Sequence, residues 1–175
     1  MSSSLRRGEV ALRPLREADR PFLLEMVGLP GVVEWWGTPD PPEREWEGLV
    51  NGGSSWAIEV AGALAGWVGY NEELEPDYRS VALDISLAPT LHSRGYGRTA
   101  LRLAARWLID ERSHHRLTID PDRANERAIR AYAAVGFRPV GVLRKANRNH
   151  HGEWVDSLLM DLLADELVED DGTAA

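Results

Sequence analysis

Apolar residues recur along this chain with two different periods, and the switches between them mark out its elements. Val10–Leu15 alternates and predicts a short strand, after which Glu17–Val27 reads as a helix. Gly28-Leu29-Pro30-Gly31 breaks that helix and predicts a loop containing Glu34, Trp35 and Trp36. Pro41-Pro42 suits the first turn of a second helix running to about Val50. Ser55–Val60 and Leu64–Tyr70 read as strands joined by a tight Ala61-Gly62-Ala63 turn, and the polar stretch Asn71–Arg79 as a loop. Ser80–Leu87 alternates again, with Val81, Leu83, Ile85 and Leu87 on one face and Ala82, Asp84 and Ser86 on the other.

The period then changes to that of a helix. Over Arg98–Glu111, Leu101, Ala104, Ala105 and Leu108 form a buried stripe, while Arg98, Arg102 and Arg106 line another face. Arg116–Ile119 is a short strand. Ala128, Ile129, Tyr132 and Val135 stripe a further helix that Gly136 can end at its C′ position. Phe137–Arg144 and Trp154–Leu162 predict a closing hairpin around Asn147–Gly152, and the polar tail from Glu169 is expected to be disordered. With no internal repeat or low-complexity linker, one domain is expected over residues 1–168, with 169–175 outside it.

Composition narrows the chemistry. At 175 residues and 43% hydrophobic content the chain can bury an ordinary core. It has no cysteine, which excludes disulfides, thiolate metal sites and cysteine nucleophiles. The segment Met1–Gly8 lacks the apolar run of a signal peptide, and no stretch reaches the roughly 20 apolar residues of a membrane span, so a cytoplasmic location without a membrane partner is expected. A formal net charge of −8 argues against nucleic acid as the main partner. Acidic surface can attract a cationic ligand, or simply keep the protein soluble.

The turn His92-Ser93-Arg94-Gly95-Tyr96-Gly97 lies between a predicted strand and a helix that follows directly. This context aims free backbone N–H groups and a helix dipole at one point, an arrangement that holds phosphate. The spacing is not that of the nucleotide triphosphatase loop, which needs a lysine, nor of a dinucleotide fingerprint with its acid about 20 residues on.

His92-x-x-Gly95-x-Gly97 instead resembles the acyl-CoA loop of the GNAT N-acetyltransferase superfamily, written Q/R-x-x-G-x-G/A, with His in place of the first Gln or Arg. The element order and the Asn125…Tyr132…Gly136-Phe137 segment are similar too. The resemblance implies an α/β (α+β) fold with a mixed central sheet of about seven strands and helices on both faces. Strands four and five, Ser80–Leu87 and Arg116–Ile119, would run parallel and splay apart. Acetyl-CoA would be the acyl donor, with its pantetheine arm in the gap and its diphosphate on the amides of Arg94–Arg98. The donor-binding residues so implied are Leu87, Ala88, His92, Arg94, Gly95, Tyr96, Gly97, Arg98, Thr99, Asn125, Ala128 and Tyr132. Ordinary explanations stand beside these roles: Asn125 as a helix N-cap, Tyr132 as core, Arg98 as a solvated helical residue.

Acetyl transfer to an amine needs the neutral amine, which at pH 7 is roughly one molecule in 2,500 for a lysine-like pKa of ~10.4. A nearby base recovers much of that loss. Asp84 is the leading candidate, an acid within an otherwise apolar strand whose burial would raise its basicity; the alternative is a carboxylate paired with an arginine. Tyr132 could give a proton to the departing thiolate, and a backbone N–H near Leu87–Ala88 could meet the oxyanion. Asp120, at the mouth of the same gap, could bind a cationic substrate or cap the next helix. His114, His115, His150 and His151 read as surface residues, and no metal-ligand spacing is present.

A second resemblance concerns the acceptor. Val33-Glu34-Trp35-Trp36-Gly37, with Ile119-Asp120-Pro121 and Asn125-x-x-Ala128-Ile129-Arg130-x-Tyr132, is similar to the aminoglycoside 6′-N-acetyltransferases. It implies Asp84 as base and Glu34, Trp35, Trp36, Asp84 and Asp120 on a small polycationic amine. Indole faces pack on sugar rings and attract ammonium groups; core packing of a loop would also account for the two tryptophans. Siderophore lysine acyltransferases and ribosomal-protein N-terminal acetyltransferases share such features, so a siderophore lysine, a protein N-terminus or a polyamine is an alternative acceptor, and an acyl-CoA sensor without turnover a further alternative. A monomer or homodimer is expected.

Overall fold

The computed structural model describes residues 5–169. Eight strands form one sheet: β1 (Leu5–Arg7), β2 (Val10–Pro14), β3 (Ser55–Val60), β4 (Ala63–Glu73), β5 (Ser80–Leu87), β6 (Arg116–Ile119), β7 (Arg138–Arg148) and β8 (Trp154–Leu163), in the spatial order β1-β2-β3-β4-β5-β6-β8-β7. Five helices accompany them: α1 (Arg20–Val27), α2 (Pro30–Trp36), α3 (Pro42–Val50), α4 (Tyr96–Asp110) and α5 (Glu126–Ala133). Every pairing is antiparallel except β5 with β6. The sheet is therefore mixed, as expected, with one strand more than the sequence predicts. The addition is β1, three residues long, which folds back on β2 with Arg7 opposite Val10; so short a segment shows no period. The tail expected from Glu169 onward lies, apart from Glu169 itself, outside the described residues.

Alternation along the strands divides the core between two faces. On one, Val68, Tyr70, Val81 and Leu83 pack with Ala100, Leu101, Ala104, Ala105 and Leu108 of α4 and with Val135 and Phe137 after α5. On the other, Trp67 packs with Leu23, Met26 and Val27 of α1, Val32 of α2 and Leu49 of α3. The β3–β4 hairpin turns on Ala61 and Gly62 in left-handed conformation, φ 50° and 81°, which matches the twist of the flanking strands.

Four local differences from the sequence reading have physical causes. His114, expected at the surface, is buried, its Nε2 lying 2.7 Å from the Glu72 carboxylate. The segment after Gly28 is helix α2 and not a loop, because Pro30 at its first position lacks only an N–H that no helical carbonyl would accept. Strand β4 runs on to Glu73, since Asn71, Glu72 and Glu73 stay paired with Ala82, Val81 and Ser80 despite their polarity. Arg102, set by its spacing with the polar arginines of α4, is buried at 5% exposure. Its guanidinium donates to the carbonyls of Val168 at 2.8 Å and Ala134 at 2.7 Å, tying the closing segment and the end of α5 to α4. Helix α5 ends as anticipated: the Phe137 N–H reaches Tyr132 C=O and the Gly136 N–H reaches Ala133 C=O, with Gly136 at φ 119°.

Candidate active site

The parallel pairing of β5 and β6 is brief: only Val81 and Ala82 meet Leu117 and Thr118. Beyond them β5 continues to Leu87 while β6 stops at Ile119, so the strands part. The β4–β5 register sets what the gap contains. Asp84 lies opposite Gly69, Ser86 opposite Trp67, and the Ala88 N–H donates to Ala65 C=O at 2.9 Å. Bonding groups alternate along an antiparallel ladder, so the backbone groups of Asp84, Ser86 and Ala88 face β4 and those of Ile85 and Leu87 face the gap. Of the two N–H groups considered for the oxyanion, Ala88's is already bonded and Leu87's is turned toward the opening.

After β5 the chain makes a 3₁₀ turn at Pro89–Leu91 and enters α4 through Gly95, whose φ of +86° favours glycine. Ser93 is also left-handed, at φ 62°. The first helical bond here runs from the Thr99 N–H to Gly95 C=O, which leaves the N–H groups of the first turn without carbonyls of their own helix. Around this turn lies a cavity of about 340 Å³, lined by His92, Ser93, Gly95, Gly97 and Arg98, by Ile85, Ser86 and Leu87 of β5, by Asn125, Arg127, Ala128, Arg130, Ala131 and Tyr132 of α5 and its cap, and by Gly31, Val32, Trp35 and Trp36 of α2.

A second cavity, about 370 Å³, opens beside it. It is lined by Asp84, Ile119, Asp120, Pro121 and Asp122, by Asn147, Arg148, Asn149 and Val155 of the hairpin, and by Trp35, Trp36, Ile85, Asn125 and Tyr132. The last five residues also line the first cavity, so the two meet there. Three cations, Arg98, Arg127 and Arg130, line the first cavity, and three carboxylates with one cation, Arg148, line the second.

The titratable groups at the junction are displaced from their ordinary behaviour. Burial, then the neighbouring Asp120 charge, pushes the Asp84 carboxyl up to about 6. Burial raises Asp120 as well. The Tyr132 hydroxyl is pushed above the usual phenol range by burial and by the charges of Asp84 and Asp120, against the pull of Arg127. Burial holds the His92 imidazole below its usual value, and its Nε2 lies 2.9 Å from Leu87 C=O. Asp84 has no arginine partner among the described residues; its raised basicity is what a general base requires.

The residues anticipated from the sequence fall into two groups. Asp84, Asp120, Trp35, Trp36, Asn125 and Tyr132 converge on the second cavity, and Leu87, His92, Gly95, Gly97, Arg98 and Ala128 line the first. Asn125 is also the N-cap of α5, its Oδ1 accepting the Ala128 N–H at 3.1 Å. Glu34, Ala88, Arg94, Tyr96 and Thr99 line neither cavity. Glu34 and Arg94 are exposed, Tyr96 points its hydroxyl to Glu9, and the Thr99 hydroxyl bonds Gly95 C=O. Ser93, Arg127, Asp122 and Asn147 were missed. Arg127 shares a helix face with Ala128 and Ala131, so spacing could have found it; the other three come together only in the fold.

A family model described as the acetyltransferase (GNAT) domain matches residues 9–138. Aminoglycoside N(6′)-acetyltransferase type 1 of Klebsiella pneumoniae is 26% identical over 156 residues, covering 77% of this chain and 76% of that protein. Mycobacterium smegmatis RimJ in complex with CoA-disulfide superposes with a TM-score of 0.80 at 22% identity, covering 96% of this chain and 89% of that one. Spermidine N-acetyltransferase from Vibrio cholerae, in complex with CoA and spermine, does so with a TM-score of 0.78 at 22% identity, over 91% and 98% of the two chains.

Proposed function

We propose that this chain, which belongs to the GNAT acetyltransferase family, moves the acetyl group of acetyl-CoA to a primary amine of a small polycationic acceptor, foremost the 6′-amino group of an aminoglycoside. The observation that carries this reading is the meeting of a cation-lined cavity with a carboxylate-lined one at Tyr132 and Ile85. The 26% identical aminoglycoside acetyltransferase supports the choice of acceptor. The residues present fit the donor. First-turn amides of α4 with Arg98 and Arg127 offer donors and charge for phosphate, and the backbone edge of Ile85 and Leu87 can pair with an extended amide-bearing arm.

Acetyl-CoA supplies the activated carbonyl. Asp84 and Asp120 draw an ammonium group into the second cavity, where Asp84 takes one of its protons and leaves the nitrogen lone pair to form the new C–N bond. The Ile85 N–H, on the open strand edge next to Asp84, can meet the oxyanion. As the C–S bond breaks, the Tyr132 hydroxyl protonates the thiolate. Asp84 and Tyr132 help each other in this exchange. A protonated Asp84 no longer repels a phenolate, so capture of the amine proton eases release of the phenolic one; the phenolate then takes the second proton that the nitrogen sheds on becoming an amide, and Asp84 passes its own to solvent.

Thiol release from acetyl-CoA, followed with kanamycin, a ribosomal N-terminal peptide and spermidine in turn, tests the proposal. Release with kanamycin at submillimolar KM is expected. Silence with kanamycin at millimolar concentration overturns the aminoglycoside assignment, and turnover of the peptide alone moves the acceptor to a protein N-terminus.

A further inference from the structure

The donor loop departs from its family pattern at its first position, and the structure gives that histidine specific work. Ile85 and Leu87 present four backbone groups to the gap, two N–H and two C=O. One of the four is taken: the His92 ring nitrogen Nε2 sits 2.9 Å from Leu87 C=O, five residues back. The intervening chain holds the ring there. Leu91 N–H bonds Ala88 C=O at 2.9 Å, His92 N–H bonds Pro89 C=O at 3.2 Å, and Pro89 presets the turn. A carbonyl only accepts, so Nε2 carries the proton, and Nδ1 is left as an acceptor. The charged groups around the ring are Arg127 of α5, which acts on it across the cavity, and Arg98 of α4 in the same wall. Among the described residues no carboxylate lines this cavity, so the ring stays neutral and keeps the single N–H that it spends on Leu87.

An extended chain laid against β5 can form bonds only where the strand offers groups. With Leu87 C=O occupied, Ile85 N–H and C=O and the Leu87 N–H remain. Of these, the Ile85 N–H adjoins Asp84 and lies farther from the turn that would hold the diphosphate, on the side where the thioester end of the arm belongs. We propose that His92 is a positioning residue: by filling the final carbonyl of β5 it fixes the register in which the donor arm pairs with the strand, so that the thioester carbonyl arrives at the Ile85 N–H. This rests on the acetyl-CoA reading of the first cavity. It gives the substituted histidine a role on the strand edge and leaves the phosphate to the amides and arginines.

The test uses the full chain, acetyl-CoA labelled with ¹³C at the carbonyl, and two variants. In the wild-type complex the carbonyl resonance is expected downfield of free acetyl-CoA, as for a hydrogen-bonded thioester. His92→Leu removes the donor. It should return the resonance toward the free value and lower kcat by about 10–100-fold, the range expected from misplacing a reacting group, with KM for acetyl-CoA within about 3-fold. His92→Gln keeps an N–H of similar reach and should restore both the shift and kcat. A His92→Leu complex with unchanged shift and turnover overturns the inference, as does a Gln variant as poor as Leu. Because the resonance needs no acceptor, a shift that follows this pattern in a protein inactive on every amine upholds His92 and condemns only the acceptor. Failure of acetyl-CoA to bind the wild-type protein overturns both.

Discussion

Asp84, the proposed base, carries a cost in stability. Its carboxyl is pushed up to about 6 by burial and by Asp120, against an unfolded value near 3.8. Well below pH 3.8 the group is protonated in both states and no buried charge is at stake. As pH rises from there to about 6 the unfolded chain releases its proton more readily, so the folded state loses stability, and above 6 the loss is constant. Asp84→Asn should therefore stabilise the protein by about 1–3 kcal/mol at about pH 8 and leave it nearly unchanged at about pH 3, in urea melts at the two values. The same substitution should lower kcat by about 10²-fold while coenzyme A affinity stays nearly intact. In the wild type, kcat/KM should climb with pH through about 6. Tyr132, held above the ordinary phenol range, should impose no decline below pH 10.

At the scale of elements, polar contacts decide how the helices sit on the sheet. Arg13 of β2 donates from both terminal nitrogens to Asp19, at 2.7 and 2.8 Å, and from Nε to Glu59 of β3 at 2.6 Å. Asp19, just before α1, also accepts the Arg16 N–H. Its ion pair with Arg13 is well shielded, so Asp19→Ala should cost about 3 kcal/mol, read as a lower urea midpoint, because Arg13 is left partly unpaired in a buried setting. None of this was visible in the chain, where Arg13 and Asp19 are merely six residues apart. Strands β2, β3 and β5, and helices α3, α4 and α5, were legible because their apolar periods are long and their ends carry proline or glycine. Helix α2 was hidden by a proline that begins helices as readily as it breaks them. The donor loop and Asp84 could be read as local pattern, whereas Ser93, Asp122 and Asn147 enter the cavities by way of turns and a hairpin that sequence spacing does not specify.

Across the whole molecule, charge is unevenly shared: a chain of net charge −8 gathers Arg98, Arg127 and Arg130 around one cavity, and Asp84, Asp120 and Asp122 with the cation Arg148 around the other. The far edge of the sheet is blunted. Strand β7 loses register with β8 at Pro139/Gly141 and Leu143/Asn147, and it carries Arg144 and Lys145, features that discourage another strand from adding there. The two cavities share a wall at Tyr132, and the chain has no thiol to store an acyl group between visits. Steady-state rates with both substrates varied should give double-reciprocal lines that intersect; parallel lines would mean an acetylated protein intermediate. The shared wall thus turns catalysis into an appointment: neither guest can leave anything behind for the other, and both must be seated before the exchange begins.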